Sequence, residues 1–378
     1  MQVLHIISGL GDGGAEAILY RLCQYEKDHN HVVISLMDEE KYGPMLKDIG
    51  VDVYTLNNSK KKIKILSLFR LYRLIFKLKP DVVQTWMYHA DFIGGFVARS
   101  IGIKNIFWSV HHTTLVRGES KLLTVLIAKI NSFLSTFVPK KIIYCAEMSR
   151  KTQELIGFTK NKGVVIPNGY DVDDFEDNEV KGAKFRNELN ISEDTFVIGH
   201  VGRYDPQKDQ DNLIKALVDL KQRQIKFKAV IVGTNLDVNN DKLVGMIKEK
   251  QLENDISLLG RRNDIPAVMN GIDLFALSSA FGEAFPNVLN EAMACGTPCV
   301  ATNVGDSARI IGNTGWIVPI KNPQALSSAI NEASKEMRLK KSSWTKRKIM
   351  CRKRIVENFE IKKMVKKYKD IWEECFEN

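Results

Sequence analysis

Two glutamates, Glu283 and Glu291, stand in an E-x7-E spacing within SSAFGEAFPNVLNEAMACGTPCVATNVGD, residues 278–306. Pro286 suits the first turn of a helix and Gly296 its C-terminal cap. That puts Glu283 in the loop before the helix and Glu291 on its second turn. The amides near Asn287 and Val288, together with the helix dipole, form an anion site. Two carboxylates beside an anion site repel a phosphate unless they bind something else, such as sugar hydroxyls. The spacing therefore points to a sugar-phosphate ligand.

Other stretches carry chemistry that is ambiguous when read alone. The chain opens MQVLHIIS-GLGDGG, a literal G-x-G-x-x-G after a predicted strand, with Asp38 following the next strand. This is the written form of a dinucleotide fingerprint, but any strand-to-helix phosphate loop favours glycines. Arg203 and Lys208 flank the start of a predicted helix, where lone cations are usually solvated. His111 and His112 end the strand IFWSVHH, where a lone histidine is usually structural. DVDD at Asp171–Asp174 contains D-x-D, a spacing that elsewhere holds Mg2+ against a diphosphate. Cys23, Cys145, Cys295, Cys299, Cys351 and Cys375 are scattered, and no second Cys or His pair completes the C-x3-C of Cys295 and Cys299. Reduced thiols without a metal are expected.

The elements that position these residues alternate between β-rich runs and helical patterns, the signature of parallel α/β architecture. Strands are predicted at Val3–Ile7, His31–Leu36, Val51–Thr55, Asp81–Thr85, Asn105–Val110, Lys141–Tyr144 and Gly163–Ile166. After VIPNGYDVDDFEDNEVKGAK the alternation restarts with Phe196–His200, Lys228–Val232, Ile256–Leu259, Leu274–Ala276 and Pro298–Ala301. Helices are expected near 209–222, 239–250, 286–295 and 322–335. Apolar Ile361, Met364, Val365, Tyr368, Ile371 and Trp372 give a last amphipathic helix. A chain of 378 residues exceeds one hydrophobic core, so two domains are expected. The boundaries read as 1–170, a linker over 171–190, a second domain over 191–355, and a helix over 356–378 that crosses back to the first domain.

At this point a resemblance becomes specific. The E-x7-E segment looks like the donor-binding signature of retaining glycosyltransferases of family four, which have the GT-B fold of two Rossmann-like domains facing a cleft. GGAE at 13–16, PNGYD at 167–171, VGRYDPQKDQDNLIKAL at 201–217, LLGRRNDIP at 258–266 and TGWIVPIKNPQAL at 314–326 resemble the family's other motifs in the same order. Two departures stand out: Ala284 replaces a glycine, and VGDSARII replaces the family's Gly-Gly and Glu, leaving the roles of 306–309 open.

The resemblance implies that Arg203 and Lys208 clamp a donor diphosphate and that Glu291 holds ribose hydroxyls. It places Glu283 by the transferred sugar, and Arg261, Ala284, Phe285, Asn287 and Val288 along the donor. Gly13 and Gly14 become a close-approach floor, and one histidine, His111 by position, touches the sugar. Asp171 becomes part of an interdomain turn, so neither metal nor cofactor is expected. The implied reaction is retaining transfer from a nucleotide-sugar, UDP by default, to a hydroxyl of a glycan or lipid-linked acceptor in bacterial surface polysaccharide synthesis. Rivals are a GT-B epimerase or phosphorylase, a non-catalytic scaffold, and the dehydrogenase suggested by GLGDGG.

Charge adds a possible partner class. The net charge is +10, and KKKIKILSLFRLYRLIFKLK from Lys60 to Lys79 contains no acid. KLLTVLIAKINSFLSTFVPKK from Lys121 is also acid-free, and the run from Lys335 to Arg354 is basic. Arg70, Arg73 and Lys77 share one helical face, so adsorption to an anionic membrane surface is weighed against ordinary surface helices. Nucleic acid is disfavoured, because aromatics do not interleave with the cations in any recognised module. No apolar run spans a bilayer, and no export signal is read at the start, so a cytoplasmic protein, peripheral on the inner face of the membrane, is expected.

Overall fold

The computed structural model describes residues 1–58, 64–111 and 122–377. Lys60, His112 and Lys121 therefore lie outside the described residues, and with His112 goes one of the two histidines that end IFWSVHH. The chain divides into two compact units, Met1–Gly169 with Ile361–Asn378, and Tyr170–Glu360.

The first unit is built on β1 (Gln2–Ile7), β2 (Asn30–Ser35), β3 (Asp52–Thr55), β4 (Val82–Trp86), β5 (Ile106–Val110), β6 (Lys141–Tyr144) and β7 (Gly163–Val165). They form a parallel sheet in the order β3-β2-β1-β4-β5-β6-β7. Parallel strands joined by helices are covered on both faces, which is why VVQTW and IFWSV are buried throughout. One face packs on Leu71, Ile75, Ala90, Ala98, Ile127 and Ala128 from the helices Ile65–Leu78, Tyr88–Ser100 and Leu122–Leu134.

The other face is completed by the last helix, Ile361–Glu377, through Ile361, Met364, Tyr368 and Trp372. Trp372 Nε1 donates to Gln84 Oε1 at 3.1 Å, so the indole is both buried and hydrogen-bonded. Gly169, in PNGY, is needed for this docking: a Cβ there would sit 2.8 Å from the Ile361 Cα. The helix begins at Ile361, after the separate helix Lys341–Phe359, rather than at 356.

The second unit carries β8 (Val197–Val201), β9 (Lys228–Val232), β10 (Ile256–Gly260), β11 (Leu274–Leu277), β12 (Cys299–Thr302) and β13 (Trp316–Val318). Their order is β10-β9-β8-β11-β12-β13, again parallel. In both sheets the strand order reverses beside the first strand, at β1/β4 and at β8/β11. Open parallel sheets bind ligands at such a reversal, beyond the carboxyl ends of the strands. The stretch 171–190, expected to be a linker, contains the helix Glu179–Glu188, which packs on the helix Ile265–Gly271 inside this unit. Asn178 caps it by accepting from the Lys181 amide at 2.9 Å.

Cys23, Cys145, Cys295, Cys299 and Cys351 are buried and free. Among the described residues, no helix is long and apolar enough to cross a membrane.

Candidate functional site

The carboxyl end of β8 leads through Gly202 and Arg203 to Lys208 and the helix Gln210–Gln222. The chain must pass Gly233 closely here. A Cβ on Gly233, whose φ is +141°, would lie 1.5 Å from the Gly202 carbonyl oxygen. Beneath the loop His200 is fully buried. Its Nδ1–H donates to the Ala276 carbonyl at 3.0 Å, and Nε2 faces the Gln210 amide at 3.4 Å. Burial first, then the Lys208 charge, pushes His200 down to about 4, although the Ala276 carbonyl and Glu283 pull the other way. His200 is thus a neutral support. Gln210 Nε2 also donates to the Arg203 carbonyl at 2.8 Å, fixing the turn that carries that guanidinium.

The carboxyl end of β11 runs into the loop Ser278–Pro286, and the helix Asn287–Ala294 follows. Pro286 is its N-cap, just outside the first turn, and proline has no side-chain acceptor to offer the leading amides. At the other end Gly296, with φ +75°, closes a Schellman turn: its amide donates to the Met293 carbonyl at 3.0 Å and that of Thr297 to Ala292 at 2.9 Å. Ala284 and Phe285 are buried, Phe285 against the Phe359 ring at 5.4 Å. Asn287, Val288 and Glu291 are half-buried on the helix.

These two loops meet. Lys208 Nζ lies 2.6 Å from Glu283 Oε1, with the side chains only 14% and 10% exposed. Ser279 Oγ donates to the same Glu283 oxygen at 2.8 Å, and Ser278 Oγ to the Lys208 carbonyl at 2.8 Å. Gln207 joins the loops a second time: its carbonyl accepts from the Ala280 amide at 2.9 Å, and its side-chain oxygen from Arg203 Nη2 at 3.3 Å. Arg203 is 60% exposed and aligned by Asp205 at 3.1 Å. From the third side, Gly305 (φ +51°) presses on the loop, because a Cβ there would lie 2.3 Å from the Glu283 carbonyl oxygen. The departure VGDSARII thus supplies a backbone wall, with the Asp306 amide donating to the Ala284 carbonyl at 2.9 Å. An aligned guanidinium and a neutralised Lys–Glu pair around a helix start can hold a phosphate and a polyol together. Arg261 follows β10 and is exposed.

In the first unit Gly13 is the N-cap of the helix Gly14–Tyr25, at the carboxyl end of β1. Glu16 follows on this turn, its acidity weakened by burial and by the nearby carboxylates of Glu40 and Asp12. Three carboxylates at the loop oppose the pyrophosphate that a dinucleotide would place there. His111 directly follows β5, and its ring stacks on Trp86 with centroids 5.4 Å apart. Trp86 is held in turn by Nε1–H donating to His5 Nδ1 at 3.2 Å.

The D-x-D stretch is engaged locally: Asp171 Oδ1 accepts from the amides of Asp173 at 2.9 Å and Asp174 at 3.3 Å. Among the described residues, ligating atoms of His5, Cys23 and His31 lie within 4.8 Å of one another. Both ring nitrogens of each histidine are already in hydrogen bonds, to Trp86, to each other and to Glu26.

Ser279, Gln207 and His200 were not singled out in the sequence. Ser279 lies within a quoted motif and bonds Glu283 four residues on in its own loop, whereas Gln207 meets Ala280 from a loop about 70 residues away. His200 could have been noticed as the one polar side chain in the strand VIGHV.

Two Rossmann-type sheets, the second bearing this constellation at its strand reversal, define the GT-B class. Residues 12–174 match Glycosyltransferase Family 4 and residues 182–349 match glycosyl transferases group 1; the chain belongs to this glycosyltransferase family. It is 27% identical over 310 residues, 81% of this chain and 78% of the other, to the Escherichia coli UDP-Gal:alpha-D-GlcNAc-diphosphoundecaprenol alpha-1,3-galactosyltransferase. It is also 27% identical over 369 residues, 92% and 94% of the two chains, to a Campylobacter jejuni N-acetylgalactosamine-N,N'-diacetylbacillosaminyl-diphospho-undecaprenol 4-alpha-N-acetylgalactosaminyltransferase. The structure of Anabaena Alr3699/HepE in complex with UDP superposes with a TM-score of 0.84 at 22% identity, covering 98% of this chain and 99% of that one.

Proposed function

We propose that this protein transfers a sugar from a UDP-sugar to a hydroxyl of a lipid-linked or glycan acceptor in surface polysaccharide synthesis, with retention and without a metal. The observation that carries the reading is the Lys208–Glu283 pair at the β8/β11 reversal, beside an aligned Arg203. In this reading Arg203, Lys208 and the amides at Asn287 and Val288 bind the diphosphate and stabilise charge as UDP departs. Glu291 holds the ribose, Glu283 the sugar hydroxyls, and Arg261, Ala284 and Phe285 line the donor. His111, Gly13 and Gly14 are the first unit's contribution. The departing phosphate takes the acceptor proton, so retention needs no separate base. UDP is favoured over GDP because the Escherichia coli relative is named for a UDP-sugar donor.

The test is turnover of UDP-sugars with a sugar-diphospho-undecaprenol acceptor, followed by release of UDP. An α-configured anomeric proton in the product, formed equally in the presence of EDTA, is expected. Isomerised free donor without acceptor consumption would favour the epimerase instead.

The names of both relatives carry diphospho-undecaprenol-linked sugars, and we extend the reading to an anionic membrane surface. The helix Ile65–Leu78 leaves Ile65, Leu66, Phe69 and Phe76 exposed beside Arg70, Arg73 and Lys77. Apolar and cationic groups on one exposed face suit a headgroup layer. Loss of sedimentation with anionic vesicles in Arg70→Glu/Arg73→Glu/Lys77→Glu is expected; unchanged binding refutes this part.

A further inference from the structure

A second basic feature lies at the opposite end of the first unit's sheet from the loops carrying Gly13 and His111. Arg99, Lys104, Lys140 and Lys162 line a cavity of about 450 Å³ where the chain enters β5, β6 and β7. Among the described residues, no carboxylate lines it.

Part of this charge has a structural task. Lys162 Nζ donates to the carbonyls of Ser135 at 3.3 Å, Thr136 at 2.6 Å and Pro139 at 2.8 Å, closing the turn after the helix Leu122–Leu134. That work fixes its ammonium in the cavity wall. Arg99 and Lys104, both exposed, are left over from it. Arg99 makes only a long contact of 3.4 Å to the Ile103 carbonyl. Burial, then the like charge of Arg99, lowers the Lys162 pKa, which agrees with these two cations lying close together in the cavity wall.

The rim of the cavity is aromatic. Phe137 lines it, is 59% exposed, and meets the exposed Phe133 ring at a centroid distance of 5.7 Å. Phe133 ends a row with Leu122, Leu126 and Lys129, all exposed at helical spacing on one face of the helix. This helix, Tyr88–Ser100 and Ile65–Leu78 pack side by side on the same core face of the sheet. The row therefore lies on the same side of the sheet as the cationic helix described above.

We propose that this cavity is a binding site for the phosphate headgroup of an anionic phospholipid, with Phe133 and Phe137 in the interfacial layer. Charge complementarity selects an anion, and the apolar row leading to the rim selects a lipid over a soluble phosphate, which needs no such rim. The proposal rests on the membrane reading and adds to it a defined headgroup site remote from the Lys208–Glu283 pair.

The test uses the full chain. Sedimentation is measured with phosphatidylcholine vesicles with and without phosphatidylglycerol, for wild type, Arg99→Gln/Lys104→Gln, Phe137→Ser, and a control pair of exposed lysines on the second unit, Lys226→Gln/Lys248→Gln. Amide NMR shifts at Thr136 and Val138 are followed on adding monomeric short-chain phosphatidylglycerol. Wild type should bind only the anionic vesicles. The Arg99/Lys104 pair should weaken binding about thirtyfold, at roughly 1 kcal/mol per interfacial cation, and the control pair should not. Phe137→Ser should weaken binding with every charge retained, and the two amides should shift and saturate. If the Arg99/Lys104 pair behaves as the control does, or the amides stay still, the headgroup site is refuted while the membrane reading stands. Equal saturation by glycerol phosphate would make it a free-phosphate site and also refute the proposal. No binding by wild type overturns both.

Discussion

Lys208 Nζ and Glu283 Oε1 lie 2.6 Å apart although 75 residues separate them, in two loops that leave adjacent strands of one sheet. Each side chain is largely buried, so each is tolerable only with the other present. Lys208→Met removes the cation that neutralises Glu283, and we expect it to lower kcat by at least about 100-fold, the scale of one lost oxyanion-stabilising group. It should also weaken UDP binding. Glu283→Gln should reduce kcat while leaving UDP affinity near wild type, because its assigned partner is the sugar. Isothermal titration with UDP beside steady-state kinetics separates the two; equal UDP affinities in both variants would refute the assignment.

The second prediction concerns acid. The folded pKa of His200, about 4, lies below its ordinary value of 6.5. A depressed pKa contributes stability above the unfolded value that is lost as pH falls through the window from 6.5 to about 4. The full effect is about 3 kcal/mol. His200→Gln should flatten the fall in Tm across that window, as followed by calorimetry, whereas an unchanged slope would place the acid sensitivity elsewhere.

A lower window belongs to Glu26. Burial alone would raise its pKa, but hydrogen bonds from His31 and His29 outweigh this and bring the carboxyl to about 2. Its stabilisation is present above 4.5 and fades as pH falls towards 2. Glu26→Gln should therefore cost stability at neutral pH and little near pH 2, read as converging urea midpoints.

Backbone crowding gives a fourth test. Gly305→Ala introduces a Cβ at φ +51° that meets the carbonyl oxygens of Glu283 and Ala284 at 2.3 and 2.5 Å. Neither oxygen belongs to a flexible side chain, so the loop Ser278–Pro286 must move. We expect a loss of about 1–3 kcal/mol, the scale of such strain, with activity falling more than stability explains. An alanine on Gly245, which has nothing within 4 Å, is the control.

Much of this fold was legible because parallel strands such as Lys141–Tyr144 and Lys228–Val232 are short apolar runs framed by helical patterns. What escaped reading lacked contrast. In the helix Glu179–Glu188 only Gly182 and Phe185 are buried, so EVKGAKFRNE has the composition of a linker. The helix Lys341–Phe359 buries only Trp344, Cys351, Ile355 and Phe359 among many cations. Strand β13 is three residues long, too short for an alternation to show. At the site, the charged residues were marked by their motifs, whereas Gln207 gains meaning only when its loop meets Ala280, and Ser279 only when the loop folds its hydroxyl back onto Glu283.

The docking of Ile361–Glu377 onto the first sheet also has a consequence for synthesis. The core face containing Trp86 and Phe107 is closed by residues that leave the ribosome about 190 positions after Gly169. At roughly 5–20 residues per second, that face stays open for about 10–40 s while the contiguous second unit emerges and can fold. A nascent chain arrested before Ile361 should therefore be cleaved by protease within its first 169 residues, and released full-length chain should resist.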